Sequence, residues 1–356
     1  MAGIVNQECS ECQNGFGVNP VAVITAITLR RVRCALCQVV CDGRRGMNAR
    51  RVIWLSGLAA SLCGACVVAA DQPLKKHRHS EILPAALTPD RRALDLQEEV
   101  APGTEKLYAE IEAWIQELQP AQAVAQLAKF FLGKPYVASS LDSGGSERLW
   151  VDLTRFDCML FVEQLLALAL SSDWQSFVVK IRGMRCENGR VDYCSRNHYF
   201  QAWAASAKDQ GWVEDVTDRF PGYQRRIVNL NYMSNHSSLY SPLQRPSVLR
   251  CIEEKESRLN VEQLYIPNEG LHKLSAYFRD GDLFAIATSV PGLDVTHMGV
   301  VVLDAEGVSA IHAVPGQGVI RSIPFADYVR SVPDSVGVVV LRPSSKRDRI
   351  QEQPST

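Results

Sequence analysis

A cysteine and two distant histidines are the residues most capable of chemistry in this chain. Cys158 stands in the run Arg155-Phe-Asp-Cys-Met-Leu-Phe-Val-Glu-Gln-Leu-Leu-Ala-Leu-Ala-Leu170. His297 and His312 lie far downstream in Val295-Thr-His-Met-Gly299 and Gly307-Val-Ser-Ala-Ile-His-Ala313. A thiol with an imidazole as base, and a second polar group to orient that base, is the set that cysteine acyl transfer requires. Cys, His and His could equally ligate zinc, so a metallohydrolase is a rival reading. The plain structural alternative is a buried core cysteine, a common fate of free thiols.

The elements that would position these groups are legible. Phe161, Val162, Leu165, Leu166 and Ala169 keep helical spacing, so a core helix is expected with Asp157 as N-cap and Cys158 in its first turn. The positive end of the helix dipole would lower the thiol pKa from about 8.5. Gly281–Ala287, Val295–Leu303 and Gly307–Ala313 read as successive β-strands, with Asp304–Gly307 as a hairpin loop. In that hairpin His297 and His312 are expected opposite each other, so that one imidazole can hold the other.

The order Gly133-Lys-Pro-Tyr136, Phe156-Asp-Cys158, His297-Met-Gly299 and Ile311-His-Ala313 resembles the NlpC-type, papain-like cysteine hydrolases of the bacterial cell wall. The runs Phe156-Asp-Cys-x-x-Phe-Val-Glu163, Arg196-Asn-His-Tyr-Phe-x-x-Trp203 and Gly292-Leu-Asp-Val-Thr-His-Met-Gly299 are similar, more narrowly, to an N-acetylmuramoyl-L-alanine amidase-like family within that group. The similarity spans roughly Thr104 to Arg342. It departs in the long gap between Cys158 and His297, and in Met159 where a small hydroxyl residue is more usual. The resemblance implies an α+β papain-like fold, an antiparallel sheet packed on helices with the nucleophile at the N-terminus of a core helix. It also implies hydrolysis of an amide in peptidoglycan, within the stem peptide or at the muramoyl-alanine bond, with no cofactor and no metal. Tyr136 and backbone N–H groups beside Asp157 would hold the oxyanion. Arg196, His198, Tyr199 and Trp203 would recognise an anionic stem peptide and sugar, although aromatic residues at such spacing also pack in cores. A non-catalytic peptidoglycan-binding protein and an acyltransferase on the same scaffold are the alternatives.

With 356 residues, 46% of them hydrophobic, the chain can bury a full core. A net charge of -1 gives no reason to expect a nucleic-acid partner. Residues 1–46 carry two Cys-x-x-Cys pairs, a zinc-ribbon spacing. Yet Met47-Asn-Ala-Arg-Arg51, the apolar run to Val67 and the small-residue end Val68-Ala-Ala70 form a secretory signal pattern. Residues 1–46 are therefore expected to lie upstream of the true start, 47–70 to direct export to the periplasm or cell envelope, and the mature chain to carry no stable membrane span. Residues 71–103 read as a linker, 104–343 as the hydrolase domain with an insertion at 171–280 that walls a substrate cleft, and 344–356 as a disordered tail. Two helices are expected at Thr104–Leu118, capped by Thr104, and from Pro120 to Leu132. In an oxidising compartment Cys186 and Cys194 could bridge the Asn188-Gly189 turn, or Cys186, Cys194 and Cys251 could all be free.

Overall fold

The computed structural model describes residues 98–142 and 147–344. The expected extra N-terminal segment, the signal peptide, most of the linker and the tail lie outside them. The described chain opens with strand β1 (Glu98–Val100), helices α1 (Thr104–Ile115) and α2 (Pro120–Phe130), and strand β2 (Leu149–Val151). Helices α3 (Cys158–Leu170), α4 (Trp174–Arg185) and α5 (Phe200–Asp209) follow. The middle region supplies β3 (Val213–Asp215), β4 (Gln224–Asn229), α6 (Tyr232–Asn235), α7 (Pro246–Glu256) and β5 (Asn260–Pro267). The C-terminal part is β6 (Leu283–Thr288), β7 (Val295–Asp304), β8 (Gly307–Val314), β9 (Gly318–Ser322), α8 (Phe325–Ser331) and β10 (Ser335–Pro343).

The expected α+β class, an antiparallel sheet packed on helices, is what forms. The strands run in the order β4-β5-β10-β6-β7-β8-β9, every pair antiparallel, and β3 joins the β5 side of β10 at its far end. Strands β1 and β2 make a separate parallel pair. One sheet face, carrying Met298, Val300, Val302, Ile311 and Val339, packs against α3 and its neighbouring helices. The other face, carrying Phe284, Ile286, Val301 and Val338, packs against Phe325 and Val329 of α8. Both faces of the central strands are therefore buried, which is why β6 and β7 read as near-continuous apolar runs instead of alternating ones.

Helix α3 is apolar save for Glu163 and Gln164 because it is buried on every side, Met159 alone being only partly covered. Its one acidic residue, Glu163, is 1% exposed and accepts from Arg185 Nε at 3.0 Å and from the Trp203 indole at 3.3 Å. A buried carboxylate is tolerable only when its oxygens are so occupied.

Two local expectations are corrected. Gly103, with φ 87°, is the N-cap of α1, and the Thr104 hydroxyl instead accepts from Leu153 N at 3.1 Å. Cys194 bridges to Cys251 of α7, while Cys186 stays buried and free. No helix among the described residues is long and apolar enough to cross a membrane.

Candidate active site

Cys158 sits where the sequence places it, at the first position of α3. Asp157 caps the helix, its Oδ1 accepting from Leu160 N at 2.8 Å. Asp157 is 2% exposed, so its carboxylate serves the helix and is not presented to a ligand. Burial raises the Asp157 pKa against the pull of the Leu160 N–H. The Cys158 sulfur lies within reach of the Met298 backbone N–H on β7. That amide is free to point at it because the β7–β8 ladder runs only from Val300 and Ile311 to the turn, leaving the first residues of β7 unpaired on that side.

Tyr136 is fixed beside the same point by backbone bonds. Phe156 N donates to Pro135 O and Val137 N to Phe156 O, both at 3.0 Å, so the tyrosine runs alongside the residues leading into Cys158. On its other flank, Val319 N donates to Lys134 O at 2.8 Å. Gly318 permits that approach, because a β-carbon there would lie 2.4 Å from Lys134 O. The Tyr136 hydroxyl has no hydrogen-bond partner among the described residues, and burial, with the nearby charge of an ionised Cys158 added to it, opposes its ionisation.

The two histidines meet as expected: His297 Nε2 and His312 Nδ1 are 2.8 Å apart with rings at 86°. They are not opposite each other, however. His297 faces Ile286 across β6, and the β7–β8 register sets His312 level with Gly299, two residues further along. The pair is diagonal, and it closes because residue 299 has no side chain in the way. His312 Nε2 reaches Ser322 Oγ at 2.9 Å, and the Tyr328 hydroxyl stands 3.1 Å from His312 Nδ1. With both His312 nitrogens engaged, His297 Nδ1 is the one ring nitrogen of the pair without a hydrogen-bond partner among the described residues.

Burial dominates the electrostatics. It pushes the Cys158 thiol up to about 12, aided by Asp157, while the Met298 N–H and the residue's own N–H pull the other way. The lowered thiol pKa expected from the helix dipole is thus overturned by desolvation. Burial also holds His297 down to about 4, and, with the neighbouring His297, brings His312 down to about 3. At neutral pH burial thus keeps the thiol protonated and both imidazoles neutral. Among the described residues no group of three or more His, Cys, Asp or Glu is arranged to hold a metal ion.

The four residues expected to recognise substrate are tied up within the protein. Arg196 spends its guanidinium on Glu147 and Asp142 at 2.7–2.8 Å. His198 Nε2 donates to Tyr193 O at 2.7 Å, and Tyr199 donates to Glu256 at 2.5 Å. Trp203 is fully buried against α3. Arg196 and Trp203 tie the insertion to the rest of the chain, while His198 and Tyr199 bond within it. A cleft of about 1010 Å³ does open beside them, lined by Leu141, Trp150, Tyr193, Arg148 and Arg245 among others. Its Ser140 is four residues from Tyr136, hence within about 14 Å of it. Tyr328 and Ser322 were not anticipated. Ser322 was within reach of reasoning, since β9 pairs with β8 and sets it beside Ala310, diagonal to His312.

Comparison with known proteins follows the same direction. The family model described as AmiA-like, N-acetylmuramoyl-L-alanine amidase-like, matches residues 126–338. Among solved structures, an N-acetylmuramoyl-L-alanine amidase from Bacteroides uniformis is 28% identical with a TM-score of 0.61, over 64% of this chain and 100% of its own. A Bacteroides fragilis protein put forward as a xylanase is 29% identical with a TM-score of 0.58, over 61% of this chain and 99% of that one. A Legionella pneumophila protein at 20% identity and TM-score 0.53, over 67% and 95%, shares the fold alone. No curated protein matches.

Proposed function

The chain belongs to the N-acetylmuramoyl-L-alanine amidase-like family, and from that premise we propose that it is an exported cysteine hydrolase of peptidoglycan with a papain-like, NlpC-type arrangement. The observation that carries the reading is that Cys158 meets the backbone N–H of Met298, the residue next in the chain to His297, which is itself hydrogen-bonded to His312. Export rests on the charged, apolar and small-residue succession from Met47 to Ala70; periplasm or cell envelope is the proposed location.

In this mechanism the Cys158 proton passes to His297 Nδ1 as sulfur attacks the amide carbonyl carbon. The C–S bond forms and the carbonyl electrons move to oxygen. The Cys158 N–H and the Tyr136 hydroxyl receive that oxyanion, a contribution of about 2.7–4 kcal/mol per donor. When the intermediate collapses the C–N bond breaks, and the His297 imidazolium returns the proton to the departing amine. Water, deprotonated by the same imidazole, then cleaves the thioester. A neutral pair suits this sequence, because charge appears only as the reaction proceeds. Neither cofactor nor metal enters the scheme.

The cleft, walled in part by Val191 to Val248 of the 171–280 insertion, has room for a disaccharide-peptide, and its lining does not include Cys158, Tyr136 or either histidine. The bond cut is either the muramoyl-alanine amide or one within the stem peptide. Incubating the protein and its Cys158→Ala variant with purified muropeptides tests the reading. Released peptide with a new amine, absent with the variant, supports it; release undiminished in the variant refutes it.

A further inference from the structure

His312 is the hinge on which the basicity of His297 turns, and its proton is placed by residues outside the Cys-His-His set. Burial keeps its ring neutral, so it carries one N–H and one lone pair. If the proton were on Nδ1, the imidazole would donate to His297 Nε2, whose own proton would then sit on Nδ1 and leave no lone pair for Cys158. If the proton is on Nε2, that nitrogen donates to Ser322 Oγ at 2.9 Å, and Nδ1 accepts. His297 Nε2–H then donates across the 2.8 Å contact, and His297 Nδ1 is a free base.

Tyr328 decides between the two. Its hydroxyl stands 3.1 Å from His312 Nδ1, with ring centroids 4.3 Å apart, and has no other partner among the described residues. A phenol is a much better donor than acceptor. Donation to Nδ1, in a three-centre contact that shares the lone pair with the His297 Nε2–H, satisfies its O–H only when Nδ1 is unprotonated. Were Nδ1 protonated, the O–H would be stranded in a half-buried place, and such groups are costly.

We propose that Tyr328 is a positioning residue whose O–H, donating to His312 Nδ1, selects the tautomer that makes His297 a base toward Cys158, with Ser322 receiving the proton at the opposite nitrogen. This rests on the hydrolase reading for its catalytic consequence, but the tautomer itself can be observed without substrate. The test is nitrogen NMR of histidine-labelled protein, wild type against Tyr328→Phe, alongside kcat and KM on muropeptides. Wild type should show His297 protonated at Nε2. Tyr328→Phe should shift population toward the Nδ1–H form and lower kcat about tenfold with KM unchanged. Ser322→Ala should shift it the same way, and serves if the first variant folds poorly. Hydrolysis with an unchanged tautomer in both variants would overturn the inference and leave the hydrolase reading intact. A tautomer shift in a protein that hydrolyses no muropeptide would uphold the positioning role and overturn the hydrolase reading.

Discussion

Replacing Gly299 with alanine should separate catalysis from folding. A β-carbon at that position would lie 2.7 Å from His312 Cβ, 2.7 Å from Ile311 O and 2.8 Å from Phe284 Cε1. Ordinary carbon contacts are about 3.5–4.0 Å, so His312 must retreat by about 1 Å. Taken along the hydrogen bond, that lengthens the 2.8 Å His297–His312 contact to nearly 4 Å, beyond hydrogen-bond range. Overpacking of this kind costs about 1–3 kcal/mol of stability, whereas misplacing an orienting group by about 1 Å costs on the order of a hundredfold in rate. Initial rates and urea midpoints measured together give both quantities. Gly183→Ala is the control, because its β-carbon would meet the Trp212 ring at 2.7 Å, on a helix that carries none of the proposed catalytic residues. It should lose stability and keep kcat. A Gly299→Ala protein with wild-type kcat would refute the reasoning, since the diagonal histidine pair would then not need the space it occupies.

Four further outcomes are expected. His297 is held down to about 4 and Cys158 up to about 12, so kcat/KM should rise with pH as the imidazole loses its proton near pH 4, then stay flat through neutrality. Without substrate, iodoacetamide labelling of Cys158 should climb about tenfold per pH unit between 7 and 10; a rate already level at pH 7 would reveal a resting thiolate. Glu163→Ala leaves the Arg185 guanidinium, 4% exposed, without its carboxylate, and should cost about 3–5 kcal/mol in urea unfolding. Removing the Cys194–Cys251 bridge, which closes a separation of 57 residues, should cost about 4 kcal/mol by the same assay, a loss that the Cys186→Ala variant should not share.

What was legible in the sequence was what local pattern encodes. The Asp157 cap, the spacing of Phe161 to Ala169, and the hairpin around Asp304–Gly307 were enough to set a thiol on a helix start and two imidazoles on adjoining strands. The histidine pairing is offset by two residues from the opposed one expected, because the two-residue turn at Ala305 and Glu306 fixes Val300 against Ile311 and so sets His312 level with Gly299. Desolvation was not legible, because the burial that lifts the thiol is contributed by β7 and by the aromatic side chains around the site. Arg196 was misread for a related reason. An arginine in a motif suggests a ligand, but the carboxylates of Asp142 and Glu147, some fifty residues earlier, had already claimed it. The Cys194–Cys251 bridge joins distant segments, so spacing favoured the nearer Cys186. Tyr328 gave only a helical-face signal with Phe325 and Val329, which is the signature of packing, and its approach to His312 depends on α8 crossing the far face of the sheet.

The central claim is that an acyl group passes through the sulfur of Cys158. It is tested most directly by quenching a reaction with muropeptide in acid and mapping the protein by mass spectrometry. The account predicts a transient adduct on the peptide containing Cys158, with the mass of the acyl part of the substrate, discharged by hydroxylamine and missing in Cys158→Ala. Turnover with no adduct at any time, continuing in Cys158→Ala and halted by a chelator, would contradict it.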